Sequence, residues 1–135
     1  MKGSVSIVHS QWASMSNNAR READRVTERT ARSIVASAQV AMSEPKSGKV
    51  YVRGNVAHQA SAPGEAPAVD TGVLRASGGV EPAGDRDGWW AYFSAEYGLY
   101  LEYGTPTIEP RPFLRPAVEQ HRDEYLDEIA RLVGR

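Results

Sequence analysis

The sequence contains no cysteine, and this absence excludes a whole class of chemistry. Disulfide bonds, thiolate metal sites and cysteine nucleophiles cannot form. An excess of one charge is also lacking, since 16 basic and 17 acidic residues leave a formal net charge of −1, without an overall electrostatic footprint for nucleic acid. No apolar run approaches the ~20 residues of a membrane span, and the N-terminus lacks the apolar core of a secretory signal. These absences predict a soluble chain without a membrane partner.

Recognisable catalytic and ligand-binding motifs are missing as well. No GxSxG elbow, HExxH helix, P-loop or GxGxxG turn occurs. The histidines, His9, His58 and His121, share no helical ligand spacing, and His121 lies on an apolar stripe, which favours a packed, hydrogen-bonded imidazole. Glu65 is interpreted as a solvated loop charge and Asp70 as a helix cap, rather than as an acid–base pair. The sequence therefore predicts no enzyme, no metal site and no cofactor.

The periodicity of the 135 residues predicts an α+β fold in a single domain. Small apolar residues recur every three or four positions over about 11–43, which indicates a helix of about 30 residues with Ser10 as its N-cap. Val5 and Ile7 alternate with serines and indicate a short strand. A C-terminal helix is expected over about 112–133. Both helices are expected to pack on a small antiparallel sheet, and the first is long enough to contact something else as well.

In the middle of the chain, one segment alternates between apolar and polar residues and the next has no regular period. Residues 49–56 alternate valine with polar side chains, which predicts one half-buried strand. Residues 57–69 are small, with proline and glycine among them, and are expected to form a long loop. A short helix anchored by Leu74 follows. Residues of about 77–94 then indicate a hairpin whose second strand begins at Trp89.

Aromatic residues are concentrated in one part of the chain. Seven of the eleven lie between Trp89 and Tyr103. On the predicted strand, Trp89 and Phe93 point to one face, whereas Trp90 and Tyr92 point to the other. An antiparallel sheet with one solvated face does not need aromatic residues on both faces, and tyrosine and tryptophan are enriched at protein interfaces. We therefore expect this region to form part of the core and also a subunit interface.

Four of the eight prolines lie between residues 100 and 117. A short helix is predicted to end at Gly104. The prolines that follow restrict their own backbone and that of each preceding residue, so we expect a stiff, extended crossing into the C-terminal helix. Pro112 suits the first turn of that helix, while the position of Pro116 relative to its start stays open.

Three segments in this order resemble the signature blocks of a known protein family. They read HQASAPGEAPAVDTGVLRAS (58–77), AYFSAEYGLYLEYGT (91–105) and PRPFLRPAVEQ (110–120). The family comprises the head–tail connector, head–tail joining or tail-completion proteins in the neck of long, non-contractile-tailed phages and prophages. The resemblance extends over nearly the whole chain, and three blocks in order are more specific than any one of them.

The resemblance implies a structural virion protein without enzymatic activity. It implies a homo-oligomeric ring, expected to be hexameric, that lies between the capsid portal and the tail tube and lets DNA pass. The implied partners are neighbouring neck proteins (stopper or adaptor) and the tail terminator or tail tube, with non-specific contact to the passing DNA. The implied location is the neck of the virion, after assembly in the host cytoplasm. Two alternatives stay open: a tail-terminator ring that caps the tube, and a small DNA-binding regulator that uses the arginines of the long helix.

The motif positions and the aromatic pattern together identify candidate contact residues for other subunits or partners. They are Pro63, Gly64, Asp70, Leu74, Trp89, Trp90, Tyr92, Tyr97, Tyr100, Tyr103, Arg111, Phe113 and Arg115. None of these residues is predicted to be catalytic.

Overall fold

The computed structural model describes residues 3–7, 15–68, 72–84 and 87–133. Its elements are β1 (Gly3–Ile7), α1 (Asn17–Ser43), β2 (Val50–Arg53), β3 (Val56–Gln59), α2 (Val73–Ala76), β4 (Gly78–Pro82), β5 (Trp89–Phe93), α3 (Gly98–Tyr103) and α4 (Leu114–Leu132). The fold is α+β, as the sequence predicts, with a long N-terminal helix, a C-terminal helix and antiparallel strands.

The strands form two separate antiparallel sheets. One has three strands in the order β1-β5-β4, so Val5 and Val80 both lie opposite Ala91 on the central strand. The β4–β5 pair is the hairpin predicted near 77–94. The other sheet consists of β2 and β3 alone.

α1 lies between the three-stranded sheet and α4. On the sheet side, Asp24 accepts a hydrogen bond from the indole N–H of Trp89 at 3.0 Å. On the other side, the hydroxyl of Thr27 lies 3.0 Å from that of Tyr125 in α4. The 27 residues of α1 make a helix about 40 Å long. The length of α1 predicted that it contacts something besides the sheet, and this second neighbour is α4. The C-terminal helix α4 therefore packs on α1 and not on the sheet, where it had been expected.

A buried hydroxyl pair joins the two long helices. Thr27 has one hydroxyl proton and donates it to the carbonyl of Ala23 at 2.7 Å, so it accepts the hydrogen bond from Tyr125. Burial raises the pKa of Tyr125, against the smaller opposing effect of its bond to Thr27. Because both hydroxyls are paired, their burial leaves no unsatisfied polar group.

α1 begins later than the apolar pattern predicts. Its first residue is Asn17, since Ser16 acts as N-cap and accepts the N–H of Ala19 on its side chain at 3.2 Å. The expected start near residue 11 is therefore wrong. The expected cap, Ser10, lies outside the described residues.

The buried surface of α1 is wider than a single stripe. Its buried residues are Ala19, Ala23, Val26, Thr27, Thr30, Ala31, Ile34, Val35, Ala38 and Met42. Ala19, Ala23, Val26, Thr30, Ile34 and Ala38 recur every three or four positions as predicted, but Thr27, Ala31, Val35 and Met42 are buried beside them. Val35 faces the sheet, where a Cβ added to Gly78 would come within 2.8 Å of it. The helix is buried over two rows because it has neighbours on two sides.

Phe93 and Phe113 link the sheet to the start of α4. Their rings meet edge to face, with centroids 5.1 Å apart and planes at 86°. Both side chains are buried. This contact belongs to the core cluster that also contains Ile34 and Ile129.

Residues 49–59 form a hairpin, not one strand followed by a loop. Val50 pairs with Gln59, and the strands are joined by the two residues Gly54 and Asn55. Gly54 has φ of 64°, as the first position of a type II′ turn requires. The predicted strand and the start of the predicted loop are both wrong here. The sequence does contain a signal for this turn, because a Gly-Asn pair between two alternating segments is typical of a hairpin.

Candidate partner-binding surfaces

The β2–β3 hairpin presents its apolar side chains to solvent. Val50, Val52 and Val56 are 62%, 70% and 57% exposed, so the prediction of a half-buried strand is wrong. Val50 and Val52 share one face of the hairpin with Ala57, which lies opposite Val52. An isolated two-stranded hairpin is at best marginally stable in water. This hairpin therefore depends on how its base is held.

Backbone pairing continues past the strands at the base of the hairpin. The N–H of Gly48 donates to the carbonyl of Ala60 at 3.0 Å, and the N–H of Ala60 donates to that of Lys49 at 2.9 Å. Gly48 has no space for a side chain, because an added Cβ would lie 2.5 Å from the carbonyl oxygen of Ala60. Close approach of the two backbones therefore requires glycine at this position.

Glu65 ties the base of the hairpin to the loop that follows it. Its carboxylate accepts the N–H of Ala62 at 2.8 Å, the N–H of Ser47 at 3.1 Å and the hydroxyl of Ser47. These hydrogen bonds, led by the one from Ala62, lower the pKa of Glu65 to about 2. Glu65 is therefore a charged loop residue with a specific structural role, which its interpretation as a solvated charge did not include. It is a structural acceptor.

A second exposed surface is made of three tyrosines, one at the N-cap of α3 and two within that helix. Tyr97, Tyr100 and Tyr103 are 42%, 50% and 70% exposed. Their spacing of three residues places them along one side of this short helix. We call these three residues the tyrosine surface. These three tyrosines are the part of the aromatic-rich region between Trp89 and Tyr103 that is exposed to solvent.

The proline segment after α3 folds back instead of crossing in an extended conformation. Thr105 and Ile108 form an isolated bridge, with the N–H of Thr105 donating to the carbonyl of Ile108 at 2.8 Å. Pro106 lies at the second position of this turn, where its fixed φ is favourable. The N–H of Arg111 then donates to the carbonyl of Leu101 at 2.6 Å. The expected extended crossing is therefore wrong, since the chain turns and returns alongside α3.

Glu102 of α3 caps the N-terminus of α4. Its carboxylate accepts the backbone N–H groups of Phe113, Leu114 and Arg115 at 2.9, 3.0 and 2.8 Å. The next residue, Pro116, has no N–H, so all the N–H groups that begin the helix are accounted for. The negative charge also favours the positive end of the helix dipole. This contact fixes α3, and with it the tyrosine surface, relative to α4.

Two predicted contact residues are buried within the chain. Leu74 and Phe113 are 6% and 4% exposed, and a Cβ added to Gly98 would lie 3.1 Å from the first and 3.4 Å from the second. They meet there in the core, so they are not surface residues and this part of the prediction is wrong. Arg115 is exposed, and Asp70 lies outside the described residues.

Three of the four aromatic residues of β5 are half-buried within the chain itself. Trp89 faces α1 through its bond to Asp24. On the other face, Tyr92 lies against Gly79, where an added Cβ would be 2.7 Å from its hydroxyl oxygen. Trp90 is also half-buried. These three residues are thus partly covered without another subunit.

The loop after the hairpin is hydrogen-bonded to the proline segment. Pro63 and Gly64 are exposed, but the N–H of Gly64 donates to the carbonyl of Pro110 at 3.1 Å. The guanidinium of Arg111 donates to the carbonyl of Ser61 at 3.2 Å. These bonds connect the hairpin base with the segment that follows α3.

Two histidines are engaged in packing contacts. Nε2 of His121 lies 2.7 Å from the hydroxyl of Ser37, as expected for a packed histidine, and His58 stacks on Tyr51 with ring centroids 5.6 Å apart. Within the described ranges, no three His, Asp or Glu side chains are grouped so that they could hold a metal ion. The helices of those ranges also include none that is long and apolar enough to cross a membrane.

Arginines of α1 are paired with carboxylates, as expected of a solvated helix face. The pairs are Arg20 with Asp87 (2.9 Å), Arg25 with Glu22 (3.3 Å), Arg32 with Glu28 (2.7 Å) and Arg29 with Glu128. Exposed pairs of this kind contribute little to stability. They do neutralise much of the basic character of this face.

No protein-family model matches this sequence, and no match was found among the curated proteins or the solved structures. A function for the chain therefore rests on its sequence blocks and on the surfaces described above.

Proposed function

We propose that this chain is a structural subunit of the phage neck that assembles into a ring and lets DNA pass through it. The resemblance of the three ordered sequence blocks supports the proposal. One structural observation carries it further: an apolar hairpin stands exposed on a subunit that otherwise buries its own core. In a ring, each copy meets one neighbour with one surface and the other neighbour with a different surface. The β2–β3 hairpin and the tyrosine surface are two such surfaces.

The exposed valines supply a driving force for assembly. Each is more than half exposed in the single subunit, and covering the remaining surface of one valine stabilises the assembly by about 1 kcal/mol. The tyrosines add larger areas with a polar hydroxyl that can stay at the rim. Obligate interfaces commonly bury more than ~2,000 Å². The hairpin and the tyrosine surface would therefore form the centre of a larger contact.

The proposal is tested by the mass and shape of the purified chain. Light scattering across micromolar concentrations, with negative-stain imaging, is expected to give a closed ring whose mass is a multiple of 14.7 kDa. Val40→Ser is a matched control, because Val40 is 59% exposed on α1 and lies outside both surfaces. This variant is expected to assemble like the native chain. A strict monomer that binds neither portal nor tail proteins at micromolar concentration contradicts the proposal.

A DNA-binding regulator would give a different result. It requires salt-dependent affinity for duplex DNA that weakens when Arg21, Arg25 and Arg32 are replaced by alanine. Absence of measurable binding at low salt removes this alternative. A ring with weak, sequence-independent binding agrees with the neck proposal, in which DNA only passes.

A further inference from the structure

We propose that the β2–β3 hairpin of one copy docks on the tyrosine surface of a second copy. This inference rests on the proposed ring and names its subunit contact. Both surfaces are apolar at their centres and open to solvent, since Val52 and Tyr103 are each 70% exposed. In this contact the occupant of the tyrosine surface is another molecule of the same chain, and the charges of the two surfaces support this choice.

The two surfaces carry opposite charge. Residues 48–59 contain two basic residues, Lys49 and Arg53, and no acidic residue. Residues 96–110 contain three acidic residues and no basic residue, and two of the three, Glu96 and Glu109, are exposed. Opposite charges around an apolar centre steer the two surfaces together, and like charges disfavour the pairing of a surface with its own copy. The hairpin therefore fits the tyrosine surface better than it fits a second hairpin.

The sizes of the two surfaces are also comparable. Val50, Val52 and Ala57 lie on one face of the hairpin. The two valines are about 7 Å apart along the strand, and successive tyrosines are separated by about 5 Å along the helix. Both repeats are shorter than the span of a tyrosine side chain, so the valines can pack on the tyrosine rings, which bury a large area at a low cost in side-chain entropy.

Both surfaces are held in place before they meet. The hairpin base is fixed by the close backbone pairing at Gly48 and by the three bonds to Glu65. α3 is fixed by the bonds from Glu102 to α4. Surfaces that are ordered in the free subunit lose less conformational entropy on binding. This favours the contact over one made by a flexible arm.

The absence of native cysteine permits a direct test by disulfide trapping. Val52→Cys and Tyr103→Cys variants of the full chain are purified separately, checked for native circular dichroism, mixed in equal amounts and oxidised. A disulfide between them requires Cα atoms within about 7 Å in two different molecules. The mixture is expected to give about tenfold more mixed dimer than a control mixture of Val52→Cys with Val40→Cys, since random collisions trap exposed thiols far less often than a docked contact does.

Each outcome of the trapping experiment is decisive. Homodimers of Val52→Cys alone, formed as readily as the mixed dimer, would mean that hairpin meets hairpin and would overturn the inference. A ring without the mixed disulfide also overturns it, while the proposed neck function stands. A mixed disulfide in a chain that forms open dimers but never a ring supports the contact and contradicts the ring.

Charge reversal gives an independent test of the same contact. Lys49→Glu and Glu109→Lys are each expected to weaken self-association about fivefold, and the double variant is expected to restore it to within about twofold. Glu119→Lys, an exposed position on α4, is the matched control and should leave association unchanged. Two weakened single variants without restoration in the double variant count against the pairing.

Discussion

The body of the chain and its β2–β3 hairpin use apolar residues in opposite ways. In the body, Ile34, Phe93 and Ile129 are at most 2% exposed, whereas Val50 and Val52 of the hairpin are more than half exposed. The difference lies in their neighbours. The core side chains lie where α1, the three-stranded sheet and α4 pack together, while the hairpin is held at its base. Hydrophobic residues therefore form the core in the body of the chain and a solvent-exposed surface in the hairpin.

The comparison also shows two ways in which a carboxylate organises a backbone. Glu65 holds the hairpin base through a loop, and Glu102 caps a helix of the body. Glu65 accepts the N–H of nearby Ala62 and that of Ser47, 18 residues earlier, whereas Glu102 accepts N–H groups 11 to 13 residues later. Glu65 supports the exposed β2–β3 hairpin. Glu102 joins α3, which carries exposed tyrosines, to α4, which packs in the core.

The largest effect on the free energy of unfolding is expected from removing a buried side chain in the core. Phe93→Ala removes a fully buried ring in contact with Phe113, and should lower the free energy of unfolding by about 3–5 kcal/mol. Val52→Ala in the hairpin should change it by less than about 0.5 kcal/mol in a monomeric sample. Urea denaturation at low concentration measures both. Similar losses for the two variants would show that the hairpin belongs to the core.

The next largest effect is expected at Glu102, which caps the N-terminus of α4. Glu102→Ala removes the acceptor for three N–H groups and is expected to cost about 2 kcal/mol of unfolding free energy. Glu119→Ala, on the exposed side of α4, is the control and should cost much less. Denaturation gives the energies, and hydrogen exchange at Arg115 reports the first turn of α4. A cost equal to that of the control would mean that the cap stabilises nothing.

A smaller and local effect is expected at the base of the hairpin. Gly48→Ala forces a Cβ to within 2.5 Å of the carbonyl of Ala60, so the strands should separate at the base while the body unfolds as before, within about 1 kcal/mol. Hydrogen exchange at Ala60 should accelerate. Gly54→Ala is the comparison, since it has φ of 64° but open space around it, and should strain only the turn. Unchanged exchange at Ala60 in the first variant contradicts the close-approach argument.

The smallest effect is the pH dependence of the hairpin base. The pKa of Glu65 is lowered from 4.5 to about 2 by its hydrogen bonds, so its contribution to order is complete above pH 4.5 and is lost as the pH falls towards 2. The amide signals of Ser47 and Ala62 should report this loss in an NMR titration. Glu65→Gln should remove their pH dependence in this window. Persistence of the same titration in the glutamine variant would assign it to another group.

Elements defined by local signals could be predicted closely. The β4–β5 hairpin, α3 and α4 lie within a few residues of the expected ranges, because alternation, helical period and turn residues act over short distances. The start of α1 could not be predicted as well, since Ser10 and Ser16 are equally acceptable caps in the sequence. The Gly54–Asn55 turn was predictable and was missed because the alternation continued through it.

The candidate surfaces were less predictable than the elements. Val26 and Val52 are both valines in regular patterns, yet the first is buried and the second is exposed. Leu74 and Phe113 fitted the block pattern of contact residues but lie in the core. The tyrosines of α3 were expected at an interface and are exposed, which keeps that hypothesis open for the cross-linking test.

By itself, the sequence determined the α+β class, the local conformation of most elements and the absence of thiol chemistry. Only the tertiary structure decided which apolar residues are covered and what the carboxylates of Glu65 and Glu102 bind. The physical reason is that Ser47 lies 18 residues before Glu65 and Phe113 lies 11 residues after Glu102. Burial and capping over such separations depend on where the chain returns in space, which no local period encodes.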